Sequence, residues 1–406
     1  MPATKQTIKV EQLVMAPVDQ VYRAFINSSA LREWMGDFAT LDAKPGGRLY
    51  IWWHGGYYAS GEFIRLEKEK ELVFSWLGRE EPRSTQVTVT FKPKRKSTLV
   101  RLTQRGFGSG KAWENTAEIF ETEWRSSLAN LASVLGSGPD LRITNRPMLG
   151  IIPSDFNAEI AKKLGVPVDT GMRLDGVVDD MGAQSAGLQK DDVLIEFAGV
   201  ELENNSSLTN AMRGKKAGDT VIVSYYRGAE KISTNLTLSG RPIPAIPSSL
   251  ADLSTEVGKA YAQAESQMAS FLQDVSEQEA AFKSDPDEWS IKEIIAHLIH
   301  SERGWQNVIS EIVMGQEASY DAFNGNLDAR NMATTIAFPS LIELEVEWKR
   351  LNTETIALLA FLPNEFFHRK GSYWRLAYQC LYFPTHFFTH LDQMRSVLHA
   401  SRKEKD

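Results

Sequence analysis

The sequence is poor in cysteine and has no long apolar run. Its single cysteine, Cys380, excludes an internal disulfide framework. No segment approaches the roughly 20 consecutive apolar residues of a membrane-spanning helix, so no membrane span is expected. The N-terminal stretch MPATKQTIKVEQL lacks the apolar core of a signal peptide. From these absences we expect a cytoplasmic protein.

The chain also lacks an excess of positive charge. It has 45 Lys+Arg against 52 Asp+Glu and a formal net charge of −7, so charge gives no reason to expect nucleic-acid binding. Hydrophobic residues make up 42% of the 406 residues, which is enough for globular cores and excludes an intrinsically disordered chain. A chain of this length is expected to contain several domains.

Two segments rich in Gly, Pro and Ser interrupt the patterned sequence. They are GSGPDLRITNRP (136–147) and SGRPIPAIPSS (239–249), and their composition is typical of linkers. They predict three domains, at 1–137, 145–240 and 250–400.

The first segment combines strand patterns with one long amphipathic helix. Apolar residues alternate over 72–76 and 87–91, and they recur at spacings of three and four over 113–135. KPKRK (92–96) lies between two alternating runs and is expected to be a hairpin turn. The pattern predicts a curved antiparallel sheet packed on a C-terminal helix.

Specific stretches of this segment resemble a known superfamily. APVDQVYRAFINSSALREWM (16–35), KPGGRLYIW (44–52) and GEFIRLEKEKELVFSW (61–76) are similar to the START/polyketide-cyclase-like (SRPBCC) superfamily, in its branch of activators of a chaperone ATPase. The resemblance implies a helix-grip α/β domain, which often encloses an apolar cavity. Six aromatic residues are candidates to line such a cavity and bind an apolar small molecule: Trp34, Trp52, Tyr57, Phe74, Trp76 and Trp113. The alternative is that these rings simply fill the core.

The middle segment carries several motifs in a recognisable order. Met148-Leu149-Gly150-Ile151 is followed by IAKKLGV (160–166) and by AQSAGLQKDDVLIEFAGVEL (183–202). These motifs resemble a PDZ domain of the bacterial protease-associated type, which implies a PDZ β-sandwich-like fold. The resemblance implies that the backbone N–H groups of Leu149, Gly150 and Ile151 hold the C-terminal carboxylate of a partner peptide. The alternative is a PDZ fold that serves only for domain packing.

The third segment is predicted to be all helix. Ser290 with Glu293, and Ser340 with Glu343, form capping boxes at two helix starts. A fourth helix is expected over 376–398. Helices of this number and length predict an all-α four-helix bundle.

Histidines of this segment have the spacing of metal ligands. His386 and His390 are four residues apart, which on a helix places them about 40° apart around the axis and about 6 Å along it. His297 lies on the inward stripe of another helix. Three imidazoles with open positions for water would make a catalytic-type divalent metal site. The alternative is a set of core histidines satisfied by hydrogen bonds.

The same residues resemble a bundle superfamily. EWS (288–290), EIIAHL (293–298) and HFFTHLDQ (386–393) are similar to the DinB-like four-helix-bundle superfamily. The resemblance implies that His297, His386 and His390 bind a divalent transition metal (Zn, Ni, Fe or Mn). Several members transfer small-molecule thiols or act as hydrolases.

Four other residues near the histidines in the sequence are not predicted to bind the metal. Tyr382, one turn before His386, is a candidate outer-sphere group, and Glu302 is expected on a solvated face. Cys380 is expected to point away from the histidines. Pro384 is expected to kink the fourth helix.

Two functions remain open at this point. The protein is either a metal-dependent transferase or hydrolase, or a non-enzymatic adaptor that binds ligands and protein partners. An open coordination sphere favours the enzyme, and a saturated or absent one favours the adaptor.

Overall fold

A computed structural model describes residues 7–53, 56–79, 81–212, 214–286, 288–317 and 326–403. The chain forms two compact units, one made of residues 1–139 with 244–406 and the other of residues 140–243. Within the described ranges, no helix is both long and apolar enough to cross a membrane.

The first segment contributes a sheet and three helices. The described strands are β1 (Thr7–Val14), β2 (Phe38–Leu41), β3 (Arg48–Trp52), β4 (Tyr58–Glu67), β5 (Glu71–Gly78), β6 (Thr85–Lys94) and β7 (Ser97–Arg105). The helices are α1 (Val18–Ile26), α2 (Ser28–Arg32) and α3 (Thr116–Gly136). A short 3₁₀ turn spans Lys111–Trp113.

These strands form one antiparallel sheet in the order β1-β7-β6-β5-β4-β3-β2. Helix α3 packs against it and buries Trp124, Leu128 and Leu131. The Nε1 of Trp124 donates a hydrogen bond to Oε1 of Gln104 on β7 at 2.7 Å, so the helix is hydrogen-bonded to the sheet as well as packed on it. The predicted helix-grip arrangement is confirmed, and the predicted turn at 92–96 is the β6–β7 hairpin.

The second unit is built mainly of strands. Its elements in chain order are α4 (Leu141–Thr144), β8 (Pro147–Met148), β9 (Ile151–Ser154), α5 (Ala158–Leu164), β10 (Met172–Val177), α6 (Gly182–Ser185), β11 (Val193–Phe197), β12 (Val200–Glu201), α7 (Asn205–Ala211), β13 (Thr220–Arg227), β14 (Glu230–Thr237) and β15 (Ser239–Gly240). The described strands pair in the order β14-β13-β11-β10-β9, with β12 on β11 and β15 on β8. This is the predicted PDZ-like fold, and β9 lies at an edge of the sheet.

The third segment is helical. Its helices are α8 (Leu250–Leu272), α9 (Glu277–Ala280), α10 (Ile291–Met314), α11 (Leu327–Ala337), α12 (Leu341–Ala360), α13 (Asn364–Phe367), α14 (Lys370–Tyr382) and α15 (Thr385–Lys403). The capping boxes that start α10 and α12 are both present. Apolar residues of α10, α12 and α15, among them Ile294, Leu344 and Met394, meet in one core. The predicted bundle is confirmed.

The fourth helix, predicted over 376–398 with a kink at Pro384, is divided into two helices. Helix α14 ends at Tyr382 and α15 begins at Thr385, because Pro384 has no N–H to continue the ladder. The chain crosses the break in a tight turn, in which the N–H of His386 donates to the carbonyl of Phe383 at 3.1 Å. His386 therefore projects from the first turn of a new helix.

The sheet segment and the bundle pack together within the first unit. Ser372 of α14 donates to a carboxylate oxygen of Glu33 at 2.6 Å. Glu317 lies between Arg32, at 3.5 Å, and Arg375, at 2.7 Å. Gly371 allows the close approach, since a Cβ there would meet Cγ1 of Val134 at 2.4 Å. These contacts explain why sequence-distant segments form one compact body.

Candidate metal centre

Three histidine rings from two helices meet in the bundle. His297 lies on α10, and His386 and His390 lie on α15. One ring nitrogen from each can be chosen so that all three lie within 4.8 Å of one another. The ring centroid of His297 is 5.3 Å from that of His386 and 4.8 Å from that of His390. The three histidines singled out from the sequence therefore form one cluster.

The spacing of four residues on α15 sets the geometry of the pair. Residues i and i+4 lie one above the other on the same helix face. The Nε2 atoms of His386 and His390 are 3.0 Å apart. Two lone pairs that face each other at this distance repel unless a proton or a cation lies between them.

Gln393 orients one ring of the cluster. Its Oε1 lies 2.8 Å from Nδ1 of His390. Because an amide oxygen only accepts, this contact places the proton of His390 on Nδ1 and leaves Nε2 with a free lone pair. Such an outer contact commonly fixes the tautomer of a metal-binding histidine.

His297 is held by its surroundings in the neutral state. The Trp289 ring lies 4.9 Å from the His297 ring, and Oγ of Ser301 lies 3.4 Å from its Nε2. Burial, with a contribution from the nearby His390 and His386, lowers the pKa of His297 to about 4. Burial and then His390 also lower the pKa of His386. Neutral imidazole is the form that binds a metal.

The donor set fits a divalent transition metal. Zinc–nitrogen bonds of 2.0–2.1 Å in a tetrahedral site place two ligand nitrogens about 3.3 Å apart, close to the 3.0 Å of the α15 pair. The Nδ1 of His297 is buried without a hydrogen-bond partner among the described residues. In that same part of the chain the cluster contains no fourth His, Cys, Asp or Glu. Three protein ligands with a free position are typical of catalytic rather than closed structural sites.

The expectation that Glu302 is solvated is wrong. Its side chain is on α10 but faces α8 and α12, and the residue is only 1% exposed. Oη of Tyr261 donates to both of its carboxylate oxygens, at 2.8 and 2.9 Å, and the hydroxyl of Thr355 donates as well. Burial raises the pKa of Glu302 to about 7, although the two hydroxyls act in the opposite direction.

Other polar residues of the bundle lie outside the cluster. Cys380 is fully buried, burial raises the pKa of its thiol, and it is not part of the cluster, as expected. Nε2 of His300 contacts the hydroxyl of Thr334 at 3.1 Å. The ring of Tyr382, the expected outer-sphere group, packs on Tyr378 with 4.8 Å between centroids. Gln393 makes an outer contact with the cluster, through His390.

The loop before β9 contains Leu149 and Gly150, for which the sequence predicts a role in binding a peptide carboxylate. The carbonyl of Leu149 accepts from Ala183 N–H and that of Gly150 from Val178 N–H, both at 2.8 Å. In the described part of the chain, the N–H groups of Leu149 and Gly150 have no paired acceptor. Gly150 has φ +82°, a backbone conformation that favours glycine. Ile151 starts the edge strand β9.

Two of the six candidate cavity residues, Phe74 and Trp76, pack against each other with 6.4 Å between ring centroids. A void of about 20 Å³ lies in the core, bordered by Phe74 and Trp76 among others. This is close to the room that one water molecule needs. An apolar ligand cavity therefore stays a prediction that requires the core to open.

The remaining four aromatic residues have other neighbours. The indole N–H of Trp34 donates to the carbonyl of Ala24 at 3.0 Å. Trp113 packs edge-on against Phe107. Trp52 pairs across strands with Phe38 and Tyr58, and Oη of Tyr57 donates to Glu81 at 3.2 Å.

Family models match three parts of the chain. Residues 15–136 match "Activator of Hsp90 ATPase homolog 1-like protein", residues 147–238 match "PDZ domain", and residues 260–394 match "DinB superfamily".

Individual relatives match one part each. A probable periplasmic serine endoprotease DegP-like of Marinomonas sp. (strain MWYL1) is 30% identical over 98 residues, which is 24% of this chain and only 21% of that protein. An Hsp90 activator from Plasmodium falciparum is 24% identical, with a TM-score of 0.29, over 32% of this chain and 97% of its own. The Aha1 dimer from Colwellia psychrerythraea is 16% identical, with a TM-score of 0.29, over 32% of this chain and 96% of its own.

The family matches agree with the order of folds along the chain. The sheet packed on α3, the strand-rich second unit and the helical bundle each coincide with one match. The chain therefore contains, in this order, a domain of the Hsp90-ATPase-activator-homologue family, a PDZ domain and a domain of the DinB superfamily.

Proposed function

We propose that the bundle binds one divalent transition metal through His297, His386 and His390, and that the protein is a metal-dependent transferase of small-molecule thiols or a hydrolase. The observation that carries this proposal is the convergence of three imidazoles, from two helices, within 4.8 Å. A cation held there would lower the pKa of a thiol or water and so supply a nucleophile.

The residues around the cluster support an enzyme rather than a structural site. Gln393 orients His390, and burial keeps His297 and His386 neutral, so no proton has to leave these rings before a metal binds. With three protein ligands among the described residues, a coordination position is left for a substrate group.

The decisive experiment is elemental analysis of the purified, untagged protein beside a His386→Ala/His390→Ala double variant. We expect about one equivalent of a transition metal in the parent and almost none in the double variant, since one imidazole alone binds weakly. His399→Ala is the matched control, because His399 is exposed on the same helix α15. A parent that stays metal-free after incubation with Zn, Ni, Mn and Fe(II) would refute the metal site, as would full metal content in the double variant.

Replacing Gln393 by alanine tests the outer contact. The substitution removes the acceptor for Nδ1–H of His390, so we expect metal affinity to fall roughly 10- to 100-fold while the stoichiometry at saturation is unchanged. Competition with a chromophoric chelator measures the affinity. Gln393→Glu, which keeps an acceptor at this position, should retain tight binding; an equal loss in both variants would argue against the orienting role.

A second candidate activity belongs to the second unit. We propose that the PDZ domain binds the C-terminal peptide of a partner protein. Support comes from the unpaired N–H groups of Leu149 and Gly150 and from the edge position of β9, to which an extended peptide can add. Pro153, which lies in β9, has no backbone N–H, so the strand has one hydrogen-bond donor fewer for an added peptide. Display of a library of free C-terminal peptides tests this binding, and the absence of any binder would contradict it.

A further inference from the structure

The carboxyl group of Glu302 is a buried titratable group that the metal ligands do not explain. It lies five residues after His297 on α10 and is 1% exposed. Hydroxyls of Tyr261 from α8 and Thr355 from α12 donate to it. No cation is among the groups that act on its pKa in the described part of the chain, and these two hydroxyls stabilise its negative charge when it is ionised.

A small void is lined both by this residue and by His386, one of the three histidines of the cluster. The void has a volume of about 10 Å³, and its polar lining is made by Tyr261, Ser301, Glu302 and His386. Space of about one water-sized sphere with two to four polar partners is what a buried water molecule requires. Ser301 adds a further link, since its Oγ is 3.4 Å from Nε2 of His297.

We propose that Glu302 is the proton acceptor of the histidine cluster, joined to it by a single water molecule in this void. The inference rests on the proposed metal site. A nucleophile held at the cluster would ionise by breaking its O–H or S–H bond and giving that proton to the void water. That water passes one of its own protons to a carboxylate oxygen of Glu302. One O–H bond forms on Glu302, and the water is left unchanged.

Glu302 is better suited to exchange a proton near neutral pH than the groups that face its carboxyl. Burial raises the pKa of Tyr261 and of Cys380, and Glu302 raises both further, so both stay protonated. Thr355 does not titrate in water, and burial lowers the pKa of His386 so that its ring stays neutral. Burial sets the pKa of Glu302 at about 7, and a general base works best when its pKa lies near the operating pH.

Proton counting during metal binding tests this link. A divalent cation at the cluster favours the ionised carboxylate, so loading should release the proton of Glu302. At pH 7 part of the Glu302 population carries that proton, so the parent should release more protons per bound Zn²⁺ than Glu302→Gln does. Titration calorimetry with Zn²⁺ in buffers of different ionisation enthalpy gives this number.

Glu347→Gln is the matched control. Glu347 is also buried in the bundle, but it is paired with Arg350 and Arg303, which hold its pKa below the usual range. It carries no proton at pH 7, so this variant should release as many protons as the parent.

The outcomes separate this inference from the metal site itself. Equal proton release in the parent and Glu302→Gln, at equal zinc stoichiometry, would overturn the role of Glu302 and leave metal binding intact. A parent that binds no zinc would overturn both.

Discussion

Replacing Glu302 by glutamine should change the pH dependence of the stability of the bundle. The stability difference between Glu302→Gln and the parent should shift in favour of the variant as the pH rises from 5 to 8. The folded state holds a proton on Glu302 up to a pKa of about 7, whereas the unfolded chain loses it near the usual value of 4.5. Between these values the folded state binds more protons, so stability falls as pH rises. The total loss is about 3 kcal/mol, and most of it falls between pH 5 and pH 8.

Glutamine removes this dependence because it carries no charge at any of these pH values. It keeps an oxygen that accepts from Tyr261 and Thr355, so the comparison reports ionisation rather than a lost hydrogen bond. We expect the advantage of Glu302→Gln over the parent to grow by about 2–3 kcal/mol from pH 5 to pH 8.

The measurement should follow the bundle alone, since a chain of several domains does not unfold in one step. Hydrogen exchange of α10 amides along a urea series, with a chelator present, reports the stability of the helix that carries Glu302. Glu347→Gln should behave in the opposite way. In the parent, the arginine partners of Glu347 lower the pKa of its carboxyl. Glu347 therefore stabilises the fold above the pKa of the unfolded chain, and this contribution is lost in acid. A difference between parent and Glu302→Gln that does not vary with pH would contradict the buried, near-neutral carboxyl.

Local patterns in the sequence were sufficient for the helix starts and for the histidine cluster. The capping boxes at Ser290 and Ser340 depend on contacts three residues apart, and the pairing of His386 with His390 depends on one helical turn. Such short-range geometry is set by the helix itself. The position of His297 on an apolar stripe predicted the inward direction that brings it to the pair.

Features that depend on packing between distant segments could not be derived in the same way. Glu302 is buried because Tyr261 and Thr355, 41 and 53 residues away, turn hydroxyls towards it. The contact of Ser372 with Glu33 joins residues 339 positions apart. A void depends on how well side chains fill space, so no pattern of aromatic residues predicts its volume.

The second large expected effect is a loss of stability and of peptide binding when Gly150, in the loop before β9, is replaced by alanine. Gly150→Ala should destabilise the second unit by about 3 kcal/mol, through a strained φ of +82° and through overpacking. A Cβ at this position would lie 2.2 Å from Cβ of Met181 and 3.0 Å from its Sδ, so the loop must shift. Because the shift moves the N–H groups of Leu149 and Gly150, we also expect binding of C-terminal peptides to be lost.

Gly187→Ala is the control that distinguishes backbone strain from the steric overlap of a new Cβ with its neighbours. Gly187 has φ +80°, almost the same as Gly150, but a Cβ there meets nothing within 4 Å. This variant should cost only the backbone strain of about 1 kcal/mol and should still bind peptide. Hydrogen exchange of the second unit gives both stabilities, and fluorescence polarisation at a temperature where both variants are folded gives peptide affinity. If Gly187→Ala lost binding as completely as Gly150→Ala, the loss would not depend on displaced N–H groups of Leu149 and Gly150, and the loop would have no special part in holding the peptide carboxylate.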